Sequence, residues 1–315
     1  MIPFVFRAFV SVVLLCYVQK GLVSAQNNES NEQSAASESR PSNPAIELAA
    51  ELVTLKHPEL GESSGLGFSR RRPDYLWTHN DSGNEPEIFA FNLKGKLTAS
   101  VDFSDDVKSR DWEDMACFTY DDQPMILVAD CGDNWARRKN IKFYIFAEPD
   151  PAKDSTVKNV TSITVRYGDH SSSGGPPGGP RDCEAVAVCE ATNEIWLISK
   201  SVLPHCTLWK IPLPPLPGKK SYEMEADYVA TMNIPLVTGA DIDRNSRALW
   251  LGGYFYAFKI PLGDDPNDLE NFANVPSPIT IPPLRQVEAL ALDEHGNPWI
   301  TSEGTPAKLA PVNVR

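Results

Sequence analysis

The chain reads as an all-β protein, a five-bladed β-propeller closed by its own N-terminal strand. Three observations carry that reading. A short pattern, a polar residue opening an apolar strand, recurs five times: at Ser64 (SGLGF), Glu113 (EDMACF), Glu184 (EAVAV), Thr238 (TGADID) and Glu288 (EALALD). A bulky apolar residue follows each opening residue at nearly constant distance. Finally, the last copy lacks an outer strand, while an orphan strand pattern precedes the first copy. Repeated supersecondary units of this period bury their faces only by stacking as a solenoid or a closed ring.

Within each copy the first strand is the one just quoted. Second strands are predicted at Tyr75 to His79, Met125 to Ala129, Glu194 to Ser199, Ala248 to Gly252 and Pro298 to Thr301. They are short apolar runs bounded by Gly, Asn, Asp and Pro. Trp77, Leu127, Trp196, Trp250 and Trp299 fall 13, 14, 12, 12 and 11 residues after their opening residues. A bulky side chain at that place packs between neighbouring blades.

Third strands are predicted at Ile88 to Phe91, Phe143 to Phe146, Leu208 to Ile211, Tyr256 to Lys259 and Lys308 to Ala310. Outer strands are predicted at Leu97 to Phe103, Ser162 to Tyr167, Tyr228 to Ile234 and Ile279 to Ile281. The fifth outer strand comes from Glu51 to Lys56, which completes the last blade and zips the ring shut. The count favours five blades over the alternative of six. Successive copies are 49, 71, 54 and 50 residues apart, and the long interval contains the aperiodic insertion Ser171 to Pro180. A Pro-rich stretch, Pro212 to Gly218, reads as a rigid connector.

Residues 1–25 read as a secretory signal: Arg7, an apolar run from Ala8 to Val18 too short to anchor in a bilayer, then Val23-Ser24-Ala25. Residues 26–47 form a polar leader without aromatics, unable to bury enough surface to offset its ordering entropy. Residues 48–315 form the single propeller domain. The expected location is therefore the periplasm or the extracellular space.

Formal charge is −13, and removal of Arg7 and Lys20 with the signal takes it to −15. Such a balance argues against nucleic acid and anionic membrane as partners, and fits cations or neutral and basic ligands. Of six cysteines, Cys16 lies in the signal; the other five, Cys117, Cys131, Cys183, Cys189 and Cys206, match no zinc spacing. They read as structural thiols or one bridge, with Cys183 able to meet Cys131 or Cys206. Sequons occur at Asn28, Asn80 and Asn159.

In a propeller the first strand starts on the face where the second strand ends, because the two are antiparallel neighbours. Ser64, Glu113, Glu184, Thr238 and Glu288 therefore ring the central channel, and Asp81, Asp130, Lys200, Tyr254 and Glu303 stand on the rim. His79, Asn80, Asp133 and Asn134 lie nearby and, with Tyr254, are the candidate ligand-binding residues. Carboxylates converging on an axis repel and raise one another's pKa. A hard cation, with six to eight oxygen ligands in flexible geometry, would satisfy them, and calcium is the candidate ion. Two alternatives stay open: the glutamates cap backbone amides, or they pair with Lys200, Arg110 or Arg181.

The order Ser64, Glu113, Glu184, Thr238, Glu288 is similar to the Ser, Glu, Glu, Ser, Glu order of the calcium-activated nucleotidases, five-bladed propellers with a central calcium. That resemblance covers five positions and implies the ion more than nucleotide hydrolysis. Asn80-Asp81-Ser82-Gly83, Asp111-Trp112-Glu113-Asp114, Gly132-Asp133-Asn134, Thr238-Gly239-Ala240-Asp241 and Glu288-Ala289 resemble a largely uncharacterised family of exported bacterial β-propeller proteins. This second resemblance spans roughly residues 60 to 305 and brings no activity with it.

Two functional readings follow. In one the protein is a metal-dependent hydrolase of a phosphoester or sugar-derived substrate. Asp81, Asp130 or Glu303 would then be the general base, and Lys200 with Arg137 or Arg138 would neutralise developing charge. In the other it is a non-catalytic propeller binding a protein, glycan or envelope component, with any ion purely structural. No Gly-x-Ser-x-Gly elbow, zinc-ligand histidine pattern or Walker loop is present. His79 reads as a neutral, hydrogen-bonded loop residue.

Overall fold

The computed structural model describes residues 52–104, 107–173, 175–274 and 276–314. The proposed signal, the leader and the Asn28 sequon lie outside the described residues, as does Glu51 of the closing strand.

The described chain is all-β. In order its strands are β1 (Val53–Thr54), β2 (Ser63–Phe68), β3 (Tyr75–Asn80), β4 (Glu87–Asn92), β5 (Leu97–Phe103), β6 (Trp112–Tyr120) and β7 (Gln123–Asp130). Next come β8 (Ile141–Ala147), β9 (Ser155–Val157), β10 (Thr161–Tyr167), β11 (Cys183–Cys189), β12 (Glu194–Ser199), β13 (Cys206–Pro212) and β14 (Ser221–Met232). The last are β15 (Val237–Ile242), β16 (Ala248–Gly253), β17 (Tyr256–Pro261), β18 (Ile279–Thr280), β19 (Val287–Leu292), β20 (Pro298–Ser302) and β21 (Lys308–Pro311). Two short 3-10 turns, Ser171–Ser173 and Leu269–Phe272, are the helical elements described.

The strands pair as antiparallel meanders. β2-β3-β4-β5, β15-β16-β17-β18 and β19-β20-β21 each run outward from a first strand, and β1 adds to β21 with Val53 opposite Leu309. β6-β7-β8-β10 and β11-β12-β13-β14 do the same, then join edge to edge through a parallel β10 to β14 pairing, Ser162 opposite Ser221 through Tyr167 opposite Ala226. One eight-stranded sheet results. Neither this junction nor β9, which pairs in parallel with the outer face of β5, is visible in the repeat pattern. β14 begins seven residues earlier than its expected start at Tyr228.

The five first strands pack side by side in a cycle: β2 on β6, β6 on β11, β11 on β15, β15 on β19 and β19 back on β2. Between them lie five apolar clusters, each formed by residues of two consecutive meanders. Trp77, Leu127, Trp196, Trp250 and Trp299 each belong to a different cluster. Trp77, Leu127, Trp196 and Trp250 are fully buried, so they are packing residues. Leu213 and Leu216 of the Pro-rich connector are buried in one cluster, which fixes that stretch against the core.

Candidate functional site: a buried acidic cluster

Each first strand carries a register break at its second residue. The ladder skips Ser64, Glu113, Glu184, Thr238 and Glu288, one in each of β2, β6, β11, β15 and β19. A β-bulge leaves the extra residue outside the pairing and re-aims its side chain. All five are buried.

They do not share one environment. Ser64 Oγ donates to Glu62 O at 3.3 Å and Thr238 Oγ1 to Val287 O at 2.9 Å, so both hydroxyls are turned to backbone. Glu288 accepts from Gln286 Nε2, which also donates to Glu303 Oε1 at 2.7 Å. Glu184 Oε2 lies 2.6 Å from Lys200 Nζ, while its other oxygen, Oε1, is buried and without a hydrogen-bond partner. Glu113 gathers with Asp81 and Asp111; one carboxylate oxygen from each lies within 4.8 Å of the others.

Burial dominates the electrostatics. It pushes Glu113 well above the ordinary carboxylate range, and the neighbouring Glu184 and Asp81 push it further. Asp81 is raised to about 6 by burial, reinforced by Asp111 and Glu62. Glu288 is raised to about 8 and Asp182 to about 7, burial first in both, with Glu184 adding to each. Burial alone would lower Lys200, but Glu184, Tyr254, Glu288 and Glu113 together hold it well above the usual lysine value. The Tyr254 ring faces that ammonium at 5.7 Å.

Hydrogen bonds from Arg138 and Asp133 hold this cluster in place. Asp130 is buried and paired with Arg138, Nη1 to Oδ1 at 2.8 Å. Arg138 also donates to Gly132 O and Asp130 O, and its backbone N–H donates to Asp133 Oδ2 at 2.6 Å. Asp133 N–H in turn donates to Asp182 Oδ1 at 2.9 Å. The loop so pinned presses Gly132 on the acids: a Cβ there would lie 2.0 Å from Glu113 Oε1 and 2.7 Å from Asp111 Oδ2. Only a glycine lets the backbone approach so closely.

Asn80 is buried and clamps the preceding loop, its Oδ1 accepting from Gly61 N and Glu62 N and its Nδ2 donating to Glu59 O. Its sequon is thus enclosed, whereas Asn159 is exposed. His79 packs inside the fold, Nδ1 2.9 Å from Asn80 O and the ring edge-on to Trp112 at 5.4 Å. Burial lowers it to about 4, which keeps it neutral. Asn134 is exposed on the pinned loop, and Glu303 is half-buried beside Gln286. The five described cysteines are all buried free thiols, and Cys131 Sγ donates to Cys183 O at 3.1 Å.

Three acids enter that were not among the expected site residues. Asp111 and Asp182 each stand just before their strand, two residues ahead of the bulged glutamate, in Asp-x-Glu. Asp114 is fully buried and accepts from Met115 N, Val186 N at 2.9 Å and Ala240 N at 3.3 Å, tying β6 to β11 and β15.

No family model matches the chain, and no curated protein matches it. Among solved structures, one of a glucose dehydrogenase is similar with a TM-score of 0.47 and 11% identity, over 84% of this chain and 99% of that one. A second glucose dehydrogenase gives 0.46 and 11% over the same shares. A gluconolactonase of Xanthomonas campestris gives 0.42 and 12%, over 85% of this chain and 93% of that one. Likeness this distant assigns neither activity nor substrate. Among the described residues, no helix is long and apolar enough to cross a membrane.

Proposed function

We propose that this is an exported, five-bladed β-propeller that binds a divalent cation, calcium being the candidate, and holds a ligand above it. The cyclic packing of five first strands and the five intervening clusters support the blade count.

The observation that carries the cation is the convergence of Asp81, Asp111 and Glu113. Calcium binds oxygens at about 2.3–2.6 Å, so ligands on opposite sides of it stand about 5 Å apart. Oxygens within 4.8 Å of one another fit around such an ion. The donor set is all hard oxygen, and the partnerless Oε1 of Glu184 adds a buried acceptor beside Glu113. In this reading Asp81, Asp111 and Glu113 would hold the ion, while Lys200 balances part of the charge of Glu184.

In the hydrolase reading the cation supplies Lewis-acid polarisation of a phosphoryl or carbonyl oxygen. Lys200 stabilises negative charge on the ligand, and Asp182 or Glu303 exchanges a proton with it. Asp130 and Asp133 serve the scaffold instead, since Arg138 occupies them. In the second reading, a binding propeller without turnover, the buried Lys200 to Glu184 pair is a fixed part of the floor on which the ligand rests.

Thermal unfolding of residues 26–315 in chelator and then in excess calcium tests the proposal. A ligand at a hundred times its dissociation constant stabilises by about 2.7 kcal/mol. The expected result is an upward shift that Glu113→Gln removes. No shift in the wild-type protein returns the carboxylates to proton sharing and ion pairing, and overturns the cation site.

A further inference from the structure

We infer that the ligand of this site is an amphiphile, an oxygen-bearing head set over the acidic floor and an acyl or aryl body laid against Trp135, Val202, Leu203 and Phe255. The inference rests on the cation reading above for the head and on a separate observation for the body.

That observation is where the exposed apolar side chains lie. Trp135 is 67% exposed, Leu203 59%, Phe255 40% and Val202 38%. All four fall in the loops that follow β7, β12 and β16, at the end of the sheets where the bulges lie. Each is tethered to the floor by sequence: Trp135 stands two residues after Asp133, Val202 and Leu203 two and three after Lys200, and Phe255 next to Tyr254. Contacts continue the path outward, from Lys200 Nζ to the Tyr254 ring and from that ring to Phe255 at 6.2 Å.

The two other loops between second and third strands, after β3 and β20, carry no such side chain. Residues 81–86 offer Asp81, Ser82, Asn84 and Glu85, and residues 303–307 offer Glu303 and Thr305. The entrance is therefore apolar on three consecutive meanders and polar on the remaining two. Exposed apolar groups carried on neighbouring loops at one end of a fold mark a candidate binding surface. The shape of the floor selects the occupant. Glu113, Glu184 and Glu288 are only 3–8% exposed, so a narrow head group reaches them and the flat face of a folded protein does not.

Calorimetric titration of the calcium-loaded chain with methyl-, butyl-, hexyl- and octylphosphonate below their micellar concentrations tests the inference. Affinity is expected to rise with chain length by up to about fourfold per buried methylene. The double substitution Leu203→Ser with Phe255→Ser, at exposed positions, should flatten that series and leave both methylphosphonate binding and calcium stabilisation unchanged. Glu113→Gln should remove the calcium dependence and spare the chain-length trend. A flat wild-type series, no binding of any phosphonate, or a trend that survives the double substitution overturns the amphiphile, the last pointing to a different occupant of the apolar arc. Absence of any calcium effect in the wild-type protein, with the trend intact, overturns the cation reading instead.

Discussion

The Lys200 ammonium sits 2.6 Å from Glu184 Oε2, with the two side chains 8% and 3% exposed. Removing one partner of a buried pair strands the other charge, at a cost of about 3–5 kcal/mol. Lys200→Met should therefore lose about that much stability to urea in chelator. It should also gain more from calcium than the wild type does, because a cation then faces one more unpaired carboxylate. Equal losses with and without calcium would place the cation away from Glu184.

Stability should fall as pH rises across the neutral range. A carboxyl whose folded pKa lies above its unfolded value holds its proton more tightly when folded. Its cost is absent at low pH and grows until the folded pKa is passed. Glu288, moving from 4.5 to about 8, and Asp182, moving from 3.8 to about 7, set a window from about pH 4 to about pH 8. Each such group steepens the fall by about 1.4 kcal/mol per pH unit. Urea midpoints across that window in chelator measure it. Calcium should flatten the fall, since it binds the ionised carboxylates, and its apparent affinity should rise with pH.

Gly132→Ala aims at the geometry of the cluster alone. The new methyl must push Glu113 and Asp111 aside, an overpacking cost of about 1–3 kcal/mol. Calcium stabilisation should disappear with it. A variant that keeps the full calcium response would show that Glu113 is not a ligand.

Asp130→Asn separates scaffold from chemistry. Because Asp130 is buried against Arg138, the expected outcome is a loss of about 3–5 kcal/mol by denaturant unfolding. A general base exposed to its ligand would instead lose turnover at little cost in stability. An unchanged unfolding midpoint would return Asp130 to the candidate bases.

Much of this was legible in the chain. The five opening residues mark the five bulges, because a strand that turns a polar side chain toward an axis breaks its own apolar alternation there. The bulky residue of each second strand marks its own apolar cluster for the same reason of periodicity. β9 and the β10 to β14 junction were not legible, since parallel pairing between outer strands depends on how neighbouring meanders meet. His79 and Asn80 looked like site residues from their place beside Asp81, but the hydrogen bonds that turn them inward are tertiary. The roles of Asp130 and Asp133 depended on Arg138, whose side chain folds back over its own loop. Asp111 and Asp182 could have been found from the repeated Asp-x-Glu.

The outer borders of the sheets bear on behaviour at high concentration. The outermost strands are either two or three residues long, as in β1, β9 and β18, or joined to the border of the next sheet, as β10 is to β14. Unpaired strand edges are the templates on which β-rich chains recruit one another into fibrils and precipitates. Among the described residues such templates come only in short lengths, so the many strands of these sheets give one another little edge on which to recruit a second copy.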